Sequence, residues 1–195
     1  MRGTRPRVPA GELGAFIEGT RRLPRADAVV ETVSSYFTPE ASKPDPLVVR
    51  ALSACLMGAT PDQVSGFLGW RDFERFCALI LRARGFEVLE NIVLTNPRAQ
   101  IDLVARTTSS ALIIDCKHWS KVMGPSALLR AVSAQEERAV LLRARMPSVE
   151  PMLIVIVSLS DGGARFAGNG AVVPLRTLPD FVSNLALYAG ELPRF

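Results

Sequence analysis

The stretch Ala111-Leu112-Ile113-Ile114-Asp115-Cys116-Lys117 is apolar through Ile114 and then abruptly charged. It follows the polar run Arg106 to Ser110, and its length and branched side chains read as a buried strand. Strand side chains alternate, so Leu112, Ile114 and Cys116 face one way while Ile113, Asp115 and Lys117 face the other. An acid and a lysine therefore emerge side by side at the end of an apolar strand. An isolated D-x-K of this kind is often only a structural salt bridge, but the preceding strand adds a second acid. In Gln100-Ile101-Asp102-Leu103-Val104, Ile101 and Leu103 share a face, which leaves Asp102 on the face of Val104. If the two strands pair with both acids on one side, Asp102, Asp115 and Lys117 converge. Two such carboxylates raise each other's pKa unless they are neutralised. A divalent cation of the Mg²⁺ type, which takes carboxylate, water and phosphate oxygens, neutralises them. Lys117 beside the ion would orient or deprotonate the attacking water, or stabilise charge on a phosphate.

Working outward, Trp70 to Arg84 places Phe73, Phe76, Cys77, Ile80 and Leu81 on one helical face, with Gly85 at its end. Glu74 sits at the edge of that stripe, either looking toward the acids or reaching water beside Arg71 and Arg75. Phe86 to Val93 is a strand, Asn96-Pro97 a turn, and Gln100 to Ala105 the next strand. Beyond Lys117, a helix over 126–145 carries Leu128, Val132, Gln135, Ala139 and Leu142 on one stripe. A buried amide there needs partners, from the protein, the site or a backbone phosphate. Met152 to Leu159 is apolar on both faces, as a fully buried strand is. A strand at 171–175 and a helix at 179–188 follow. Helix, three strands, helix, two strands and helix make an α/β sandwich with a mixed sheet covered on both faces.

Residues 1–69 are different in kind. Pro6, Pro9 and Pro24 lie among arginines in a basic arm. Helices are expected over 26–36, 47–57 and 61–68, the last with Thr60 as N-cap and Pro61 at its first position. The pair around Gly58-Ala59 has the outline of a helix-turn-helix, although helical hairpins that merely pack are commoner. The expected division is thus 1–69, a basic arm and helical N-terminal region, and 70–195, the α/β domain.

The 195 residues are 48% hydrophobic with a formal net charge of +4, the profile of a globular chain with a sizeable core. No apolar run is long enough to span a membrane, and the N-terminus has no signal-peptide core, so the cytoplasm is the expected compartment. Three cysteines without C-x-x-C spacing suggest neither a disulfide framework nor a thiolate zinc site. The charge is uneven along the chain. Residues 71–145 carry twelve bases and eight acids, and without Glu74, Asp102 and Asp115 only five acids remain. A basic surface around an acidic pocket attracts nucleic acid. Arg98, Gln100, Lys121 and Arg130 are candidate phosphate contacts. His118 and Trp119 follow Lys117 where a substrate would lie, the indole being suited to stacking on a base.

Glu74 in WRDFERF, Asp102 in QIDLVA and Asp115-Cys116-Lys117 in ALIIDCKHW resemble the signature of PD-(D/E)xK nucleases. Within that superfamily the chain is most similar to the Mrr-type restriction endonucleases and the archaeal Holliday-junction resolvases. Phe76, Gly85-Phe86-Glu87-Val88, Gln100-Ile101-Asp102 and Cys116-Lys117-His118-Trp119 fit that group in order, over about residues 70–190. Ile101 stands where the motif's name has Pro, and Asp115 where many relatives carry Glu or Gln. The resemblance implies a restriction-endonuclease-like three-layer sandwich with a mixed central β-sheet, preceded by a small helical region. It implies a metal-dependent DNA endonuclease in which Asp102, Asp115 and Glu74 bind Mg²⁺ or Mn²⁺ and Lys117 completes the catalytic set. It further implies DNA as partner and a homodimer, with no membrane and no small-molecule cofactor. The rival readings are a non-cleaving DNA-binding module with this fold, and a helical interaction protein using the α/β domain as scaffold.

Overall fold

The computed structural model describes residues 10–19, 30, 45–118, 122–147, 151–159 and 166–188. The chain divides into two units, Met1–Leu79 and Ile80–Phe195.

In the first unit a 3-10 turn, Ala10–Glu12, leads into α1 (Leu13–Glu18). α2 (Pro46–Leu56) starts where Asp45 accepts from the Leu47 N–H at 2.9 Å, with Pro46 next to this cap. α3 (Pro61–Ser65) opens on a capping box: Thr60 Oγ1 accepts from Gln63 N–H, and Gln63 Oε1 accepts from Thr60 N–H at 2.9 Å. The helix expected to reach residue 68 stops at Ser65. α2 and α3 pack against one another as a short helical pair. Of the helix expected over 26–36, Val30 is helical and the rest lies outside the described residues.

α4 (Trp70–Arg82) spans the division, burying Phe73, Phe76, Cys77, Ile80 and Leu81 as their spacing requires. It ends two residues before the expected Arg84. Gly85 takes φ +85°, its N–H bonds the Arg82 carbonyl and Phe86 N–H bonds that of Leu81, a Schellman ending that only glycine adopts without strain.

The second unit is built on six strands: β1 (Glu87–Leu94), β2 (Ala99–Arg106), β3 (Ala111–Lys117), β4 (Met152–Ser158), β5 (Phe166–Ala167) and β6 (Gly170–Pro174). Their order is β1-β2-β3-β4-β6-β5. β1, β2 and β3 are antiparallel neighbours, β3–β4 and β4–β6 are parallel, and β5–β6 is antiparallel. The sheet is mixed, as expected, and has the restriction-endonuclease-like arrangement. β3 and β4 are joined by the crossover helix α5 (Pro125–Arg145). Every residue of β4 is buried, so both of its faces are covered.

β5 leaves no trace in the sequence pattern, because two residues carry no period. The expected terminal helix is two pieces, α6 (Leu178–Ser183) and α7 (Leu185–Tyr188). Between them the Asn184 side chain donates to the Asp180 carbonyl at 2.9 Å, competing with the backbone for helical hydrogen bonds.

What fixes α5 matters most for the site. Its stripe Leu128, Val132, Gln135, Ala139 and Leu142 is buried as the sequence requires. Val132, Ala139 and Leu142 join Ile101, Val104, Ile113, Ile154 and Ile156 in one core cluster. Gly170 allows the close approach: a Cβ at this position would stand 2.7 Å from Val132 Cγ2 and 3.3 Å from Ile154 Cγ2. Gly170→Ala is therefore expected to destabilise the protein by about 1–3 kcal/mol through overpacking. Val132→Ala in the same chain should recover part of that loss in a denaturant titration. Simple additivity of the two changes would show that residue 170 does not set the helix–sheet spacing.

Candidate active site

The β2–β3 pairing runs through Val104–Ile113 to Leu103–Ile114. The next amide of β3, Cys116 N–H, is taken by a side chain: it donates to Asp102 Oδ2 at 2.8 Å. Strict alternation fails at this point, since Ile101 and Val104 belong to the same buried cluster. The expectation that Ile101 shares a face with Leu103 is corrected accordingly. The amide that Asp102 binds belongs to the peptide bond of Asp115, so by standard bond lengths Oδ2 lies within roughly 5 Å of Asp115 Cα. The two acids are brought together.

Asp115 is buried at 4% exposure. On β3 it shares a face with Ile113 and Lys117, as alternation dictates, and that face meets α5. Lys117 Nζ stands 2.7 Å from Asp115 Oδ2 as an ion pair. Arg138 Nη1, from α5, lies 3.5 Å from Asp115 Oδ1 and donates to Gln135 Oε1 at 2.8 Å. A buried carboxylate with two cations beside it is compensated, as burial demands. Asp102 is pushed above its ordinary value of 3.8, chiefly by burial. The Cys116 N–H opposes that shift, the charge of Asp115 adds to it, and Lys117 and Arg138 oppose it.

Arg138 is a site residue to which the sequence does not point. It is three residues past Gln135 and four before Leu142, at the edge of the apolar stripe, where an arginine ordinarily just reaches for water. Gln135 is corrected. It is fully buried, out of reach of a phosphate at the surface in this conformation, and its Oε1 accepts from Arg138; among the described residues its Nε2 has no partner. Arg98 and Gln100 are exposed around the β1–β2 turn and line a depression together with Arg138. Gln100 Nε2 also donates to Asn91 Oδ1 at 2.8 Å. Arg130 is exposed on α5 and does not line that depression, and His118 is half-buried directly after β3. Glu74 is half-buried on α4 and belongs to the first unit. Trp119 and Lys121 lie outside the described residues.

Among the described residues no three His, Cys, Asp or Glu side chains cluster tightly enough to hold an ion by themselves. Asp102 and Asp115 would offer two carboxylates, with Asp115 Oδ2 shared with Lys117 Nζ at 2.7 Å. That donor set fits Mg²⁺, which keeps several waters and accepts substrate phosphate oxygens. Burial, with the charge of Asp62 adding to it, pushes the Cys55 thiol up to about 12, where it is inert.

Residues 67–142, which include Asp102, Asp115, Lys117, Gln135 and Arg138, match the family Mrr_cat, described as restriction endonuclease. A protein of Archaeoglobus fulgidus, named only "Uncharacterized protein", is 30% identical over 124 residues, which make up 63% of this chain and 95% of that protein. The chain belongs to the Mrr-type restriction endonuclease family. A crystal structure described as "Crystal Structure of Protein of Unknown Function AF1548" is 16% identical with a TM-score of 0.42, covering 62% of this chain and 66% of that one. In this Mrr-type chain the acids and the lysine of the PD-(D/E)xK pattern fall where β2 and β3 part. None of its described helices is long and apolar enough to cross a membrane.

Proposed function

We propose that the protein is a divalent-metal-dependent DNA endonuclease that hydrolyses phosphodiester bonds in the cytoplasm. The observation that supports this reading is the convergence of Asp102 and Asp115 beside Lys117, fixed by the Asp102–Cys116 hydrogen bond. Asp102 and Asp115 would hold Mg²⁺ or Mn²⁺, which supplies a Lewis acid for the phosphate and lowers the pKa of a bound water. Lys117, a quarter exposed at the strand end, can turn its ammonium from Asp115 toward the attacking water or the phosphate, where it orients the one or neutralises charge on the other. Glu74 is assigned an assisting role, direct or through water. Arg98, Gln100, His118, Trp119, Lys121 and Arg130 are assigned to DNA, and a homodimer would present one site to each strand of a duplex. Residues 1–69 are assigned to a basic arm and helical module ahead of the nuclease domain.

Incubation of the purified protein with supercoiled plasmid, linear duplex and four-way junction tests the reading. Cleavage is expected with Mg²⁺ or Mn²⁺, and none with chelator. Retardation of DNA in a gel without cleavage of any substrate would replace the endonuclease with a binding module. Neither cleavage nor retardation would favour a protein-interaction role.

A further inference from the structure

A depression of about 550 Å³ lies between the β1–β2 turn and α5, lined by Val93, Arg98, Gln100, Glu137, Arg138 and Leu141 among others. Arg138 belongs both to this depression and to the acidic site. Its contacts to Asp115 and to Gln135 both engage Nη1. They leave the Nη2–Nε edge of the guanidinium, the edge that grips a phosphate with two parallel hydrogen bonds, outside the interaction. Arg98 faces the same space from the turn. The wall carrying Arg98 is tied down, because Arg145, in the last turn of α5, donates to the carbonyls of Thr95 and Asn96. Glu137 is the one acid among the lining residues. It is exposed, so its charge is screened by water, and two arginines outweigh it. Apolar contact from Val93, Pro97 and Leu141 suits sugar rather than a small free anion.

We propose that this depression is a subsite for the phosphodiester backbone of duplex DNA flanking the cleaved bond, with Arg98 and Arg138 as its phosphate contacts. Arg138 is then a positioning residue: it holds Asp115 on one side and the backbone on the other, so that a seated strand lies in register with the carboxylates. The subsite rests on the endonuclease reading, since DNA is taken as the substrate.

The test is fluorescence anisotropy of a labelled blunt duplex, in chelator, across a salt series, using the full chain. Arg98→Ala and Arg138→Gln should each bind about tenfold more weakly and lower the slope of log affinity against log salt by about one. Arg106→Ala is the control. It removes the same charge at the opposite end of β2, where Arg106 pairs with Glu87, and should leave the slope unchanged. Arg98 is on an exposed turn, so its variant reads out binding even if Arg138→Gln proves unstable. Wild-type affinity and slope in Arg98→Ala, with wild-type protein that still binds and cuts, would overturn the subsite and leave the endonuclease reading standing. Wild-type protein that neither binds nor cuts would overturn both.

Discussion

Lys117→Ala is expected to lower the rate of metal-dependent DNA cleavage by ~10²–10⁴-fold while leaving DNA affinity in chelator close to that of the wild type. The reasoning begins with where the ammonium sits. Lys117 Nζ is 2.7 Å from a carboxylate that is itself buried, so the group is held at a defined place at the end of β3. Holding it there withdraws it from the general positive surface that draws DNA in. Its removal should therefore act on the chemical step and little on encounter. Asp115 would keep Arg138 as a partner, so the variant should fold, at a cost of about 1–3 kcal/mol for taking one of two cations from a buried acid. Lys117→Arg separates charge from position. It restores a cation beside Asp115 and with it the stability. A planar guanidinium, however, cannot occupy the place of a compact ammonium or give up a proton, so cleavage should stay low. A Lys117→Ala rate within a few-fold of wild type, measured in single turnover, would remove Lys117 from the reaction.

How far the site can be read in advance follows from which forces leave a mark in sequence. Burial does: the apolar run of β3 ending in Asp115 and Lys117, and the α5 stripe through Gln135, are burial patterns, and the structure has both. The convergence of Asp102 with Asp115 is legible only as a condition on pairing, since register is decided by the whole sheet. The bond that fixes it, a carboxylate replacing a ladder carbonyl at Cys116, has no sequence mark. Arg138 is not legible, because an arginine at the edge of an amphipathic stripe is the ordinary way for a helix to meet water. What sets Arg138 apart is the neighbouring strand, which delivers Asp115 to within 3.5 Å of it. Gln135 misleads for a related reason. The sequence shows that a polar group interrupts the core, but not that Arg138 has already claimed its oxygen.

Asp102→Asn is expected to separate stability from activity. In the protein without a divalent ion, burial and the charge of Asp115 hold the Asp102 carboxyl above its ordinary 3.8. For an acid with a raised folded pKa, the associated stability is fully present below the unfolded value and is lost as pH rises through the folded one. At neutral pH the ionised carboxylate therefore weighs against the folded state. Asparagine carries no charge, and its oxygen can still accept from Cys116 N–H. Asp102→Asn should accordingly be more stable than wild type at neutral pH in chelator, by about 1 kcal/mol, as is usual when a site tuned for function is relieved. The advantage should shrink as the pH falls toward the acid range and wild-type Asp102, its pKa raised by burial, takes up a proton. Mn²⁺ should reverse the order. An ion that binds only the folded wild type at a hundred times its Kd adds about 2.7 kcal/mol, and the variant, short of one carboxylate ligand, gains far less. Cleavage by the variant should drop by ~10²–10³-fold, as for other losses of transition-state electrostatic stabilisation. Thermal unfolding at neutral and acid pH, with chelator and with Mn²⁺, measures every arm. If Asp102→Asn unfolds at a lower temperature than wild type in chelator at neutral pH, the Cys116 N–H and the two cations more than offset burial, and Asp102 is a structural acid rather than one held at a cost to stability for binding an ion.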